Sequence, residues 1–312
     1  MTDRAVPQRL TIGLNAVVTA LKDGDPHVLC APRGGAEDAV WALPYGPFDP
    51  ARHRTFEIGM RDFVERQTGL GLPYVEQLYT FGDAGREVAR ASLAGGQESD
   101  RVVSVGYLAL TPRAGETGLT GARWQGWYGY FPWEDHRDGE PESLGAIRDA
   151  LEAWADTPER RARVVGAFGA DGAWEEERAL DRYELMYEAG LVEEAARDGQ
   201  ADAPLPGTGP AMASDHRRIL ATAIGRLRGK LRYRPVAFEL MGEAFTLTDL
   251  QEAIEAVLGF RVHKQNFRRA LAGAGLTVKT GETAAGAKGR PAALHARAAG
   301  AAAGFTLPRR TR

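Results

Sequence analysis

An α/β unit on a mixed sheet, followed by a small basic unit of helices and a two-stranded hairpin, is the fold class this sequence predicts. Three observations predict it. First, charge divides the chain: residues 215–312 carry 18 Lys and Arg against 7 Asp and Glu, whereas residues 1–214 carry 21 against 35. The net −3 of the 312 residues therefore conceals a +11 C-terminal part and a −14 N-terminal part, and only the former is suited to phosphates. Second, apolar runs and turn clusters follow one another as far as Leu110 in the order β-β-β-α-β-β. Third, the basic part holds two helical patterns separated by a short turn, one from Leu247 to Leu258 and one opening at Lys264.

Leu10 to Leu21 is rich in β-branched residues and ends in the turn cluster Lys22-Asp23-Gly24-Asp25-Pro26. His27 to Ala31 returns as the second arm of a hairpin. Val40 to Pro47 reads as one short strand stopped by Pro and Gly. Thr55 to Thr68 is the best helix of this part, with Phe56, Met60, Phe63 and Val64 at helical spacing and Gly69 as its stop. Strands resume at Tyr74–Phe81 and Val102–Leu110, and the segment between them, Gly82 to Arg101, reads as a mobile loop. Trp124 to Trp133 holds three tryptophans and three further aromatic residues. Two readings stay open for it: a stacking surface for a base or nicotinamide ring, led by Trp124 and Tyr128, or core packing and a dimer seam. Ser143–Trp154 and Trp174–Arg197 have helical periodicity, and Gln200–Thr208 reads as a linker rich in Pro, Gly and Asp. His216–Arg232 is a helix leading into the basic unit. Its Arg217, Arg218, Arg226, Arg228, Lys230 and Arg232 either meet phosphate or stay solvated.

In the basic unit Thr246 and Asp249 fit a capping box, and Leu247, Leu250, Ile254, Val257 and Leu258 keep helical spacing up to Gly259. Lys264-Gln265-Asn266-Phe267-Arg268-Arg269 then lines one helix face with polar groups, while Phe267 and Leu271, four apart, anchor the other. Arg, Lys, Gln and Asn are the side chains that hydrogen-bond base edges in a major groove. Leu276–Lys279 and Arg290–Leu294, joined by a turn-rich stretch, form a wing. Helix, turn, basic helix and wing make a winged helix-turn-helix, whose partner is double-stranded DNA. Candidate DNA contacts are Thr246, Thr248, Lys264, Gln265, Asn266, Arg268, Arg269, Lys279, Lys288 and Arg290. Gln265 and Asn266 are expected to read bases, and the wing cations to meet phosphate or the minor groove.

The bulk numbers exclude several classes. A chain of 312 residues with 44% hydrophobic residues can bury two cores. No apolar run approaches the roughly 20 residues of a membrane span, and MTDRAVPQRL lacks the apolar core of a signal peptide. The single cysteine, Cys30, excludes an internal disulfide. A cytoplasmic location and no membrane partner are the expectation.

The element order, with Trp41-Ala42-Leu43-Pro44-Tyr45-Gly46 ahead of a helix ending in Thr68-Gly69-Leu70, resembles the Nudix fold. Nudix hydrolases carry paired glutamates on this helix that hold Mg²⁺ against a diphosphate. Anchored on Gly69-Leu70, those glutamate positions fall on Arg66 and Gln67, with Asp62 and Phe63 on the preceding Arg-Glu pair. A one-residue shift recovers Arg61, Asp62 and Glu65 but leaves Arg66 at a glutamate position, and the upstream glutamate falls on Arg54 or His53. The resemblance thus implies a nucleotide pocket with no catalytic residue, no metal and no required cofactor.

A longer resemblance covers nearly the whole chain. Leu78 to Asp83 followed by Arg86, Val102–Leu110, Trp124–Asp135, Asp181–Leu191, Asp215–Leu220, Leu227–Phe238 and Asn266–Arg269 are similar to the Nudix-related transcriptional regulators of NAD metabolism, in particular the NadQ-like branch related to NrtR. It implies a homodimeric repressor that binds operator DNA and senses NAD, ATP or ADP-ribose. Arg33, Arg61, Arg66, Tyr79, Arg86, Trp124 and Tyr128 are the candidate effector contacts. The alternative is an active Nudix hydrolase of the ADP-ribose pyrophosphatase type with an accessory domain. The expected division is a Nudix-like sensing domain with an aromatic and helical extension at 1–200, a linker at 201–214, a winged helix domain at 215–296 and a disordered basic tail at 297–312. The recognition helix departs from the family pattern at its start, where His263 replaces a short capping residue.

Overall fold

The computed structural model describes residues 10–33, 40–82, 101–118, 120–169, 174–284 and 291–300. The hairpin forms as expected: β1 (Leu10–Lys22) and β2 (Asp25–Arg33) pair antiparallel through Lys22 and Asp25. The expected single strand at Val40–Pro47 is two, β3 (Val40–Ala42) and β4 (Tyr45–Pro47). Pro44 between them has no N–H for a ladder, and the two halves pair with different strands, β3 with β2 and β4 with β1. Helix α1 (Phe56–Thr68) opens on Thr55, whose hydroxyl accepts from the Ile58 N–H, and closes on Gly69 at φ +70°. Strands β5 (Tyr74–Phe81) and β6 (Arg101–Leu110) complete the central ladder, in which β1 runs parallel to β6 and antiparallel to its other partners. The sheet order is β3-β2-β1-β6-β5, with β4 beside β1 and β7 (Arg123–Gly126) beside β2. The Gly82–Arg101 loop expectation falls almost wholly outside the described residues.

The aromatic segment continues as α2 (Trp127–Tyr130) and a 3-10 turn at Pro132–Glu134. Trp127, Phe131 and Trp133 are fully buried in the core, whereas Trp124 and Tyr128 are half-buried. Helices α3 (Glu142–Trp154), α4 (Pro158–Phe168), α5 (Ala179–Glu188) and α6 (Glu193–Arg197) follow. One helix was expected over Trp174–Arg197; the left-handed Gly190 (φ +74°) and Leu191 instead turn the chain between α5 and α6.

Helix α7 (His216–Leu231) packs on the sheet rather than standing between two units. Alternation along the strands explains this. Leu14, Ala16, Val18, Leu29, Tyr107 and Ala109 meet Met60, Phe63 and Val64 of α1. The intervening Val17, Val28, Cys30, Leu108 and Leu110 meet Ile219, Leu220, Ala223, Ile224 and Leu227 of α7 on the other face. Residues with period 2 thus bury both faces, at about 1.5–3 kcal/mol for each large apolar side chain. The stretch expected as a linker is also engaged: Thr208 and Met212 are buried, and Ala213 N–H donates to the Trp41 carbonyl at 2.9 Å.

Beyond a 3-10 turn at Val236–Leu240 lie β8 (Phe245–Thr246), α8 (Leu247–Leu258), α9 (Lys264–Ala274), β9 (Thr277–Thr283) and β10 (Ala293–Arg297). The three strands form a second sheet in the order β8-β10-β9. Both halves of the capping box are present: Thr246 Oγ1 accepts from Asp249 N–H at 3.1 Å, and Asp249 Oδ2 accepts from Thr246 N–H at 2.9 Å. The wing ends later than expected, since Arg297 belongs to β10 and Ala298 N–H donates to the Leu276 carbonyl. One apolar core runs from the α7 face of the sheet through Trp127, Phe131, Trp133 and Tyr183 to Phe245, Ile254, Phe267 and Leu271. Among the described residues no helix is long and apolar enough to cross a membrane.

Candidate nucleic-acid interface and ligand pocket

Helix α9 divides as its spacing predicts. Phe267 and Leu271 are buried against α8, while Lys264, Gln265, Asn266 and Arg269 are exposed on the opposite face. His263 caps the helix without a side-chain hydrogen bond, so the first N–H groups of α9 remain available beside that face. Among the described residues neither Lys264, Arg269 nor Lys279 forms an ion pair within the chain, and Lys279 stands exposed on β9 across from His295. Burial first, then the Lys279 and Arg268 cations, hold His295 below the ordinary histidine range.

Three expected DNA contacts have structural partners instead of free groups. Arg268 is half-buried, and its Nη2 donates to Thr248 Oγ1 at 3.1 Å, tying α9 to the start of α8. Thr248 is consequently half-buried under Arg268, and Thr246 uses its hydroxyl as the cap of α8. Lys288 and Arg290 lie outside the described residues.

On the sandwich, the expected ligand residues have separate partners. Arg33 sits over the Tyr45 ring, 3.5 Å from its centroid, and Gln67 Nε2 donates to the Tyr45 carbonyl at 3.3 Å. Arg33 and Gln67 of the last turn of α1 therefore both touch Tyr45, one at its ring and one at its carbonyl. Burial pushes the Arg33 guanidinium down to about 10. A desolvated cation of this kind gains from an anion placed against it. The His216 ring meets Tyr45 edge-on at 5.7 Å. Its Nδ1 accepts from Leu43 N–H at 2.9 Å, and burial, then the Arg33 and Arg197 cations, push its pKa down to about 3. Tyr45 and His216 were not singled out from the sequence. Tyr45 stands inside the quoted Trp41–Gly46 string, but nothing local to His216 announces a partner 173 residues away.

The other candidates stand elsewhere. Arg61 pairs with Glu57 at 2.9 Å and also donates to the Leu72 carbonyl. Tyr79 is 62% exposed on β5, at the opposite edge of the sheet from β3. Trp124 packs against the α1 side of the sandwich, its indole N–H donating to the Gly115 carbonyl at 2.8 Å. The Tyr128 hydroxyl donates to the Ala256 carbonyl of α8 at 2.5 Å, which puts it at the junction with the winged helix. Arg86 lies outside the described residues.

The metal face of a Nudix helix is poorly represented on α1. Asp62 is held by His53 Nε2 at 2.8 Å and Arg66 Nη2 at 2.8 Å, and the His53 hydrogen bond leads the causes that keep its carboxyl below the usual range. Glu65 is exposed. Among the described residues no group of three His, Cys, Asp or Glu side chains could hold a metal ion. Two cations, Arg52 and Arg66, stand around the Asp62 carboxylate, which opposes a further cation there.

Residues 237–296 match the NrtR DNA-binding winged helix domain. A curated relative from Acinetobacter baylyi, the ADPR responsive transcriptional repressor NtrR, is 38% identical over 84 residues; the match spans 27% of this chain and only 33% of that protein. The crystal structure of Shewanella oneidensis NrtR complexed with a 27mer DNA superposes at TM-score 0.58 with 20% identity, covering 96% of this chain and 99% of the other. A MutT/nudix family protein from Enterococcus faecalis superposes at TM-score 0.54 with 16% identity, over 93% and 87% of the two chains. Residues 237–296 are thus an NrtR-type winged helix domain, and the chain as a whole shares the fold of Shewanella oneidensis NrtR.

Proposed function

We propose that this protein is a transcriptional repressor that binds operator DNA as a homodimer through α9 and the wing, and that a nucleotide bound to its Nudix-fold domain alters that binding. The observation that carries the reading is the outward face of Lys264, Gln265, Asn266 and Arg269 on a helix whose inner face is locked by Phe267 and Leu271. Gln265 and Asn266 read base edges; Lys264, Arg269 and Lys279 meet phosphate; Lys288 and Arg290 extend the wing contact. ADP-ribose is the leading effector, because the Acinetobacter relative is described as ADPR responsive; NAD and ATP present the same adenosine and phosphates. Arg33, Tyr45 and Arg66 hold the diphosphate by charge and geometry. With Arg66 and Gln67 where paired glutamates would stand, the domain binds its nucleotide without hydrolysing it. The protein acts in the cytoplasm, where its operator and effector are.

Fluorescence anisotropy on the upstream region of the protein's own target genes, with and without ADP-ribose, NAD or ATP, tests this. One of the three should shift affinity by a coupling of about 1–3 kcal/mol, and DNA should shift nucleotide affinity equally. Operator affinity no better than for random DNA, or steady Mg²⁺-dependent release of nucleoside monophosphate from ADP-ribose, would replace this reading by the hydrolase one.

A further inference from the structure

Glu134, Arg182 and Arg228 are each 0% exposed and meet at one point between the sandwich, the helical extension and the winged helix. Glu134 Oε1 accepts from Arg182 Nε at 2.6 Å, its Oε2 from Arg182 Nη2 at 3.0 Å, and Oε2 also accepts from Arg228 Nη1. Arg182 Nη1 is further bound by the Ala167 and Glu175 carbonyls. Burial opposes ionisation of Glu134, yet the two guanidiniums outweigh it and hold its carboxyl below the usual range.

One carboxylate cannot balance two buried cations, and Arg228 finds further acceptors in the Glu176 carbonyl and at the C-terminal end of α8. Arg228 Nε donates to the Val257 carbonyl at 2.9 Å, in the last turn of that helix, where unpaired carbonyls carry partial negative charge. Tyr128, in contact with Arg228 Nη2, donates to the neighbouring Ala256 carbonyl, and His136 N–H donates to the Gly259 carbonyl at 2.7 Å. Gly259 has φ +77°, and a Cβ built there would lie 2.3 Å from the Glu134 carbonyl oxygen, so only glycine allows this approach. From that end the path to the recognition helix is short and stiff. Buried Glu255 accepts from Gln251 at 2.8 Å and from Val262 N–H at 3.0 Å, which fixes the turn from α8 into α9.

We infer that Tyr128, Glu134 and Arg228 are positioning residues for DNA recognition, although none lies on the DNA face: they mount the winged helix on the Nudix-fold domain by its α8 terminus. Undocking α8 would leave Arg228 without the Val257 carbonyl and two cations sharing one buried carboxylate, so the docked arrangement is strongly specified. A rigid mount matters because two recognition helices of a dimer must meet half-sites at a fixed helical spacing. That last step rests on the function proposed above.

The test uses the full chain with Tyr128→Phe, which removes one hydroxyl, and Arg228→Lys, which keeps a cation near Glu134 but loses the Nε donor to Val257. Amide hydrogen exchange at residues 255–262 needs no DNA. It should quicken by roughly five-fold, the equivalent of one buried hydrogen bond, while exchange in β1 and β6 stays unchanged. On a duplex selected from random sequence by the wild type, preference over a scrambled duplex should fall by a similar factor, with affinity for the scrambled duplex unaltered. A general loss of stability would instead weaken both duplexes together and raise exchange everywhere. Wild-type exchange at 255–262 in both variants overturns the mount, whatever the DNA shows. A wild type that selects no duplex refutes the repressor reading and leaves exchange to decide the mount. Locally raised exchange with unchanged duplex preference confirms the mount and removes its role in recognition.

Discussion

Helices α7 and α9 are both rich in Arg and Lys, and both lie in the basic part of the sequence, yet the fold uses their charges in opposite ways. Every basic side chain of α7 and its cap meets a carboxylate. Arg217 meets Glu194, Arg218 meets Glu184, Arg226 and Lys230 meet Glu76, Arg228 meets Glu134, and Arg232 meets Glu176. These residues were expected to touch phosphate or stay solvated; Arg217 and Arg228 are buried and Arg218 and Lys230 half-buried, while Arg226 and Arg232 stay exposed beside their partners. On α9, Lys264 and Arg269 face outward with no ion pair among the described residues. All the acidic partners of α7 come from residues before 215, so much of the apparent opposition between a −14 and a +11 part is cancelled inside the fold. A charge surplus in sequence is a surface surplus only where tertiary packing leaves it uncovered.

The sharpest break of this comparison is Arg217→Ala. Arg217 is 0% exposed, pairs with Glu194 at 3.0 Å and lies within 5.5 Å of the Phe131, Trp133 and Tyr183 ring centres. Its removal leaves Glu194 buried with one cation fewer, and should cost about 3–5 kcal/mol in denaturant unfolding. A loss under 1 kcal/mol would mean that α7 charges are as dispensable as surface ones.

Next in size is the role of α9. Asn266→Ala should lower discrimination between the preferred duplex and single-base variants by roughly 1–3 kcal/mol. Lys279→Ala should weaken all duplexes alike and reduce the salt slope by about 1. If Lys279→Ala rewrites sequence preference and Asn266→Ala does not, the two roles are exchanged.

His216, at the start of α7, gives a pH signature. Its folded pKa, about 3, lies below that of an unfolded histidine, so the unfolded state binds the extra proton. The stability it contributes is present above roughly pH 6.5 and drains away as pH falls toward 3. Between pH 7 and pH 5 the loss should be about 2 kcal/mol, and His216→Gln should flatten that slope in chemical denaturation. An unchanged slope would show that the Leu43 and Tyr45 contacts leave His216 free to protonate.

The smallest expected effect completes the contrast. Arg269→Ala should change stability by no more than about 0.5 kcal/mol, as for an ordinary surface site, while weakening DNA binding. A large loss of stability would place Arg269 in the same category as the α7 arginines.

Local rules made much of this molecule legible. Thr55 and Gly69 bound α1, and Thr246, Asp249 and Gly259 bound α8, because caps act within one helical turn. Phe267 and Leu271 fixed the buried side of α9 from spacing alone. Helix α4 was missed although Thr157-Pro158 is a fair start signal, with the threonine hydroxyl accepting from Arg160 N–H. Of the ligand candidates, Arg33 lies over Tyr45, Arg66 pairs with Asp62, and Tyr128 reaches the α8 terminus, 128 residues onward.

The sequence by itself determined the hairpin, the limits of α1 and α8 and the outward basic face of α9, since each depends on residues a few positions apart. Only the tertiary structure decided which cations stay free, which aromatic side chains are core and where the winged helix is mounted. Glu134 illustrates the reason: it is held by Arg182, 48 residues away, and Arg228, 94 residues away. Pairing over such separations follows from how the layers stack and what they exclude from water, and no local pattern in the chain encodes it.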